Sequence, residues 1–224
     1  MTLDSSSLLD QIVARILRDG FYCEGSAAIG PKVDRMIETG LQFKSEDGLE
    51  FCKFHTFDNE IIRAAIESIL SQSAMGLYMA FGYDTEHTFC FLSHTKPDVQ
   101  ALIVHLWSSG SKVIFYRASH LKSLRPKAAA NGLLEIEDNA LVDSAVEPIE
   151  VDLKDGGFAI ADARLGFKLL RGLTITIGFA TESELRSWAK MTLPKSDRLK
   201  DKVALMDTPK IGTNFEFTDL PVAP

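Results

Sequence analysis

The hydrophobic period of this chain changes once, near residue 72, and that change limits the fold more than any other feature. Before it, apolar residues recur every three to four positions, as on one face of a helix; after it they alternate, as on a strand. Residues 8–19 carry Leu8, Leu9, Ile12, Val13, Ile16 and Leu17 on one stripe, with Ser7 and Asp10 as a capping box and Gly20 as the stop. Residues 31–39 predict a second, short helix with Pro31 in its first turn and Gly40 after it. Residues 59–71, capped by Asp58, predict a third. Between the last two, residues 42–57 are mixed and polar, with a turn at Asp47-Gly48.

From residue 77 onward the pattern predicts strands over 77–81, 88–93, 101–107, 112–117, 149–153, 158–162 and 173–179. In the last of these Leu173, Ile175, Ile177 and Phe179 alternate with Thr174, Thr176 and Gly178, which predicts a half-buried strand. Residues 125–146 form a long connection without clear regular structure, of the kind that often serves as a lid. Thr181 with Glu184 caps a last short helix, and the segment from 194 is rich in Lys, Asp and Pro and predicts an extended tail. Helices followed by strands mean an α+β fold, with the helices over one face of a rolled sheet. The expected organisation is one domain over residues 1–193 with a tail over 194–224. Period alone does not separate a barrel from a sandwich.

Composition excludes several functions. Apolar residues make up 46% and charged residues 25% of the 224, the proportions of a globular protein with a substantial core. The net charge of −7 and the lack of any long basic run give no nucleic-acid footprint. The three cysteines, Cys23, Cys52 and Cys90, are odd in number and widely spaced, which argues against a disulfide framework or a structural zinc site. The first residues have neither the basic nor the apolar region of a signal peptide, and no apolar run is long enough to span a bilayer. The expectation is a cytoplasmic protein with no membrane and no nucleic-acid partner; exposed strand edges make a homodimer one option.

There is no Gly-rich phosphate loop, no G-x-S-x-G elbow and no H-E-x-x-H. Chemistry must come from histidines and charged residues on the strands. In His94-Thr95-Lys96-Pro97-Asp98, a strand would place Asp98 on the face of His94 but about 13 Å away, so only a turn at Pro97 could bring the two together. The candidates there are His94, Lys96 and Asp98 as proton-transfer groups; the alternative is a strand-end histidine beside a turn-capping aspartate. His105 shares a strand face with Ala101, Ile103 and Trp107, either as a hydrogen-bonded core histidine or as a pocket wall. Arg171 and Arg164 could each grip an anion with a guanidinium fork, or pair with a surface carboxylate. His120, in Arg117-Ala-Ser-His120, is by composition a strand-end histidine.

Several of these segments, taken in order, resemble the phytanoyl-CoA-hydroxylase-like branch of the iron/2-oxoglutarate oxygenases. Ile16-Leu-Arg-Asp-Gly-Phe-Tyr22 resembles the opening "rDGf" segment, Ala118-Ser119-His120 the end of a "PGSH" motif, and Leu153 to Asp162 a "GD…fd" segment. The resemblance covers most of residues 8–180. It implies a double-stranded β-helix, a jelly-roll or cupin-like barrel with a pocket at one end, and a small-molecule enzyme, in microbial relatives often of secondary metabolism. It places His94 at the first iron ligand and Arg171 at the 2-oxoglutarate carboxylate. It also places Lys96 where that family has a carboxylate, and Gly166-Phe167 where it has the second histidine. Affinity for Fe(II) needs several correctly placed ligands.

The expectation is therefore a metal-independent isomerase, cyclase or dehydratase of natural-product metabolism on an oxygenase-like scaffold, with no metal and no cofactor. His94, Lys96 and Asp98 would be catalytic. His105, Trp107, Phe115, Arg164, Phe167 and Arg171 would bind a small-molecule substrate. The alternatives are an oxygenase that uses Fe(II) and 2-oxoglutarate in an irregular site, and a non-catalytic small-molecule-binding protein.

Overall fold

The structure, a computed structural model, describes residues 5–94 and 96–219. Its elements in chain order begin with helix α1 (Ser5–Asp19), strand β1 (Phe21–Gly25) and helices α2 (Gly30–Glu38), α3 (Glu46–His55) and α4 (Glu60–Ile69). Strands β2 (Ser73–Gly82), β3 (Thr88–Cys90), β4 (Ala101–Trp107), β5 (Ser111–Arg117), β6 (Lys127–Ala128) and β7 (Leu134–Ile136) follow. Then come β8 (Glu147–Leu153), β9 (Gly157–Asp162), β10 (Phe167–Arg171) and β11 (Leu173–Ala180). The chain closes with α5 (Glu182–Leu185), β12 (Met191–Pro194), α6 (Asp197–Ala204), β13 (Ile211–Thr213) and β14 (Phe215–Thr218).

The expected helices form where their stripes predict. Ile12 and Ile16 of α1 are buried, and the helix stops at Gly20, whose φ of 92° is one that L side chains rarely adopt. A side chain there would also collide with His120, since a Cβ would lie 2.6 Å from its Nδ1. The cap of α4 is Asn59 rather than Asp58: its side chain accepts a hydrogen bond from the Ile62 amide at 3.1 Å. Helix α3 corrects the expected polar turn. Ser45 accepts from the Gly48 amide at 3.0 Å, Glu46 and Asp47 lie in the first turn where the helix dipole favours them, and Leu49 and Cys52 are buried.

The strands form two six-stranded sheets, in the orders β1-β9-β4-β11-β2-β13 and β6-β7-β3-β10-β5-β8, and a small parallel pair, β12-β14. The chain passes from one sheet to the other between β2 and β3, β3 and β4, β4 and β5, β8 and β9, β9 and β10, and β10 and β11. The first sheet is covered on both sides. Leu102, Val104, Leu106, Ile175 and Ile177 pack on Ile16, Val33, Leu49 and Ile66 of the helices. Trp107, Ala159 and Ala161 face Phe115, Phe167 and Leu169 of the second sheet. Strand β11 is accordingly buried along nearly its whole length, not half-buried: Thr174 and Thr176 face the interior instead of water.

Two segments fold more fully than their sequence suggests. Residues 125–146, expected as a lid, add β6 and β7 to the second sheet and bury Leu133, Ile136, Leu141 and Val146. The expected tail is structured through residue 219. Strand β13 pairs in parallel with β2, and Leu199, Val203, Met206 and Ile211 complete the helix-side core. Residues 220–224 lie outside the described residues. No helix among the described residues is long and apolar enough to cross a membrane.

Candidate functional site

Rings and small residues fill the space between the sheets. Phe91, just after β3, stacks on Phe167 with ring centres 5.5 Å apart and planes 6° from parallel. His105 lies against both, at 5.7 and 5.2 Å, and stacks on Trp107 at 4.9 Å. Trp107 in turn meets Phe115 edge-on, and Phe115 stacks on Phe21 at 4.4 Å. Trp107 and Phe115 are fully buried. Register explains the polar atoms here: Thr176 pairs with His105, and Thr174 with Trp107, across β11 and β4. His105 Nδ1 lies 3.3 Å and 3.2 Å from the hydroxyls of Thr174 and Thr176. Burial pushes its pKa down to about 3, so the ring is neutral at ordinary pH.

A different cavity, of about 430 Å³, opens at one end of the sheet pair and is lined in part by Leu92, His94, Lys122, Leu124, Arg125 and Arg164. The backbone amide of Lys96 donates to His94 Nδ1 at 3.1 Å, which assigns the proton of the neutral ring to Nε2. That Nε2 is buried and has no partner among the described residues. Burial first, then the nearby Arg164 guanidinium, disfavour the imidazolium and lower its pKa.

Arg164 organises the loop that carries His94. It binds Asp162 through Nε at 2.9 Å and a terminal nitrogen at 2.6 Å, and donates to the Lys96 carbonyl at 2.7 Å. Both partners of that ion pair are buried. The other wall is pinned from below. Ala118 adopts φ 64°, its amide donates to Asp19 O, and Ser119 Oγ accepts from the Gly166 amide at 2.9 Å. His120 Nε2 bonds Leu17 O at 3.2 Å, so this histidine holds the turn and does not face the cavity lining. The chain then delivers Lys122, whose ammonium is 2.9 Å from Asp143, and Arg125, which is exposed and has no ion-pair partner among the described residues.

The structure brings His94 and Arg164 to one cavity and sends the other expected site residues elsewhere. Lys96 and Asp98 are exposed on the same loop, but Lys96 meets His94 only through its backbone, and Asp98 makes no side-chain hydrogen bond to it. His105, Trp107, Phe115 and Phe167 are packed core, not walls of this cavity. Arg171 is the largest correction. Its Nε donates to Gly110 O at 2.6 Å and its guanidinium lies 3.6 Å from Asp152, with the side chain 60% exposed. That places it beyond the C-terminal end of β4, whereas Arg164 and the His94 loop lie at the N-terminal end, about 20 Å away by strand rise. The resemblance gave it the carboxylate role from its place before the last strand; in the structure the turn at Gly110 and the carboxylate of Asp152 engage it.

Of the three positions where the resemblance places iron ligands, His94 carries a side chain of the metal-ligating kind and the other two do not. Lys96 is a cation, and Phe167 has no lone pair and is stacked on Phe91. Among the described residues no three of His, Cys, Asp and Glu are grouped to hold a metal ion. Lys122 and Arg125 are cavity residues that sequence reasoning missed. The only local signal was two cations within the Lys-Ser-Leu-Arg-Pro run that follows His120; their approach to His94 is purely tertiary.

No family model matches the chain, and no curated protein does. Solved structures match it in fold. The non-heme alpha-ketoglutarate-dependent epimerase SnoN from nogalamycin biosynthesis superposes with a TM-score of 0.53 at 11% identity, covering 79% of this chain and 84% of SnoN. HygX from Streptomyces hygroscopicus, solved with iron bound, gives 0.54 at 10% identity over 86% of this chain and 91% of its own. AviO1 from Streptomyces viridochromogenes Tue57 gives 0.50 at 14%, over 82% and 97%. At these identities the likeness is one of fold: the paired sheets of this chain are arranged as in proteins that include an alpha-ketoglutarate-dependent epimerase.

Proposed function

We propose that this chain acts on a small molecule without iron, as an isomerase, cyclase or dehydratase of natural-product chemistry, and that its working site is the cavity at His94. Its scaffold is taken as a double-stranded β-helix of the iron/2-oxoglutarate oxygenase type, which the alternation of strands between two sheets and the likeness to SnoN support. One observation carries the functional reading. The interior that would have to hold a metal is closed by the Phe91–Phe167 stack, while a polar cavity opens beside a histidine whose buried N–H has no acceptor. His94 donates that Nε2–H to an oxygen of the substrate, with its Nδ1 fixed by the Lys96 amide. Lys96 and Asp98, exposed on the same loop, lie outside the cavity lining, so His94 is the proposed proton-transfer group. The odd number and wide spacing of Cys23, Cys52 and Cys90 favour a cytoplasmic setting.

A carrier without catalysis is the second reading, and one observation favours it: among the described residues no carboxylate lines the cavity, so its walls there offer no strong base. Iron analysis of protein purified anaerobically and incubated with Fe(II) and 2-oxoglutarate tests the main reading. Substoichiometric iron and no succinate are expected; stoichiometric iron with succinate formation makes the chain an oxygenase. Incubation with candidate intermediates, wild type against His94→Ala, separates catalysis from carriage. Conversion lost in the variant supports the first reading, and a bound but unchanged intermediate supports the second.

A further inference from the structure

We infer that the ligand of the His94 cavity is a monocarboxylate with an apolar body, held by the Arg125 guanidinium and the His94 Nε2–H. This rests on the reading that the cavity is the working site, and it names the chemistry recognised there.

The charges of the walls decide the anion. Three cationic side chains line the cavity, but Arg164 is neutralised by Asp162 at 2.6 Å and Lys122 by Asp143 at 2.9 Å. Arg125 alone has no carboxylate partner among the described residues. One unbalanced positive charge and one neutral N–H donor match a single carboxylate; a phosphate monoester, with close to two charges, would leave one of them uncompensated. The guanidinium fork suits a planar carboxylate in two-point contact, and the imidazole N–H can take the carboxylate's remaining lone pairs. Leu92, Leu124 and Pro126 supply the apolar part of the lining, which an apolar ligand body would cover.

The backbone of Arg125 is an independent sign that its position serves something other than folding. Its φ is 49°, in the left-handed region, and the next residue is Pro126. Arginine gains nothing from that conformation, which glycine adopts freely. Strain of this sort persists where surrounding structure fixes it and gathers at ligand-binding sites.

The test uses the whole chain with 3-phenylpropanoate as probe, 3-phenylpropanamide as its uncharged counterpart and inorganic phosphate as the competing anion. Binding is followed on the ring ¹⁵N–¹H signal of His94 and by calorimetry. The acid is expected to shift the His94 Nε2–H signal saturably, to bind at least tenfold more tightly than the amide, and to resist displacement by equimolar phosphate. Arg125→Gln is expected to weaken the acid tenfold or more. Arg125→Gly is expected to weaken it equally while keeping or raising the melting temperature, which separates lost recognition from lost folding. Equal binding of acid and amide, preference for phosphate, unchanged affinity in Arg125→Gln, or no shift with any probe overturns the inference. None of these outcomes decides whether the chain works without iron; the succinate assay does that.

Discussion

The interior between the sheets and the cavity at their end each hold a neutral histidine, and the two histidines are used in opposite ways. His105 bonds the hydroxyls of Thr174 and Thr176, with rings of Phe91, Trp107 and Phe167 around it. His94 has one nitrogen fixed by a backbone amide and the other buried without a partner. Low pKa values in both come chiefly from burial, so a depressed pKa does not separate them. What separates them is where these nitrogens lie: His105 turns its Nδ1 to two hydroxyls inside the packed rings, whereas the buried, unpartnered Nε2 of His94 stands beside a cavity. A polar atom left unpartnered beside a cavity is poised for a ligand.

The strongest way to break this contrast is to remove a ring from the interior. Phe167→Ala should cost about 3–5 kcal/mol, measured by urea denaturation, because a closed core cannot collapse around the void. A cost below about 1 kcal/mol would mean that Phe167 lines open space and that the interior is a pocket after all. Acid gives a gentler test. Above pH 6.5 neither the folded nor the unfolded chain protonates His105. Below it the unfolded chain takes up a proton that the native state refuses until about pH 3. Stability should therefore fall on acidification through that window by about 1.4 kcal/mol per pH unit from this group alone. His55, pushed down to about 4 by burial and then by Lys32, adds to the loss in the upper part of the window. His105→Gln should flatten the profile; an unchanged slope would place the acid sensitivity elsewhere. The smallest effect is expected at Arg171. Its Ala variant should change stability by no more than about 0.5 kcal/mol and leave ligand affinity unaltered, since its contacts are at the exposed far end of the sheets. A tenfold loss of ligand affinity in that variant would return it to the site.

Strand β4 was legible in the sequence to the residue, because a run of branched and aromatic side chains between turn signals has few other places to go. Helix α3 was not, because its buried face consists of Leu49, Cys52 and His55, a weak stripe behind an acidic start that also suits a turn. Residues 194–219 were missed for a related reason. Leu199, Val203 and Met206 stand among lysines and aspartates, and their burial depends on helices and strands from the opposite end of the chain. The site was half legible. His94 stood out as a strand-end histidine, but Lys122 and Arg125 reach it only through the turn pinned by Ser119 and His120. Arg171 misled because position along the chain does not tell which end of a sheet an arginine will face.

The indole of Trp107 gives the fold a built-in optical reporter. Its ring is wholly buried and its Nε1–H has no acceptor among the described residues, so its emission belongs at short wavelength. The chain's other tryptophan, Trp188, is half-buried and donates its Nε1–H to the Glu184 carboxylate at 3.2 Å, which shifts its emission to the red. One fluorescence spectrum thus carries two colours of information: the blue edge follows the seal between the sheets, and the red edge follows the short helix after β11.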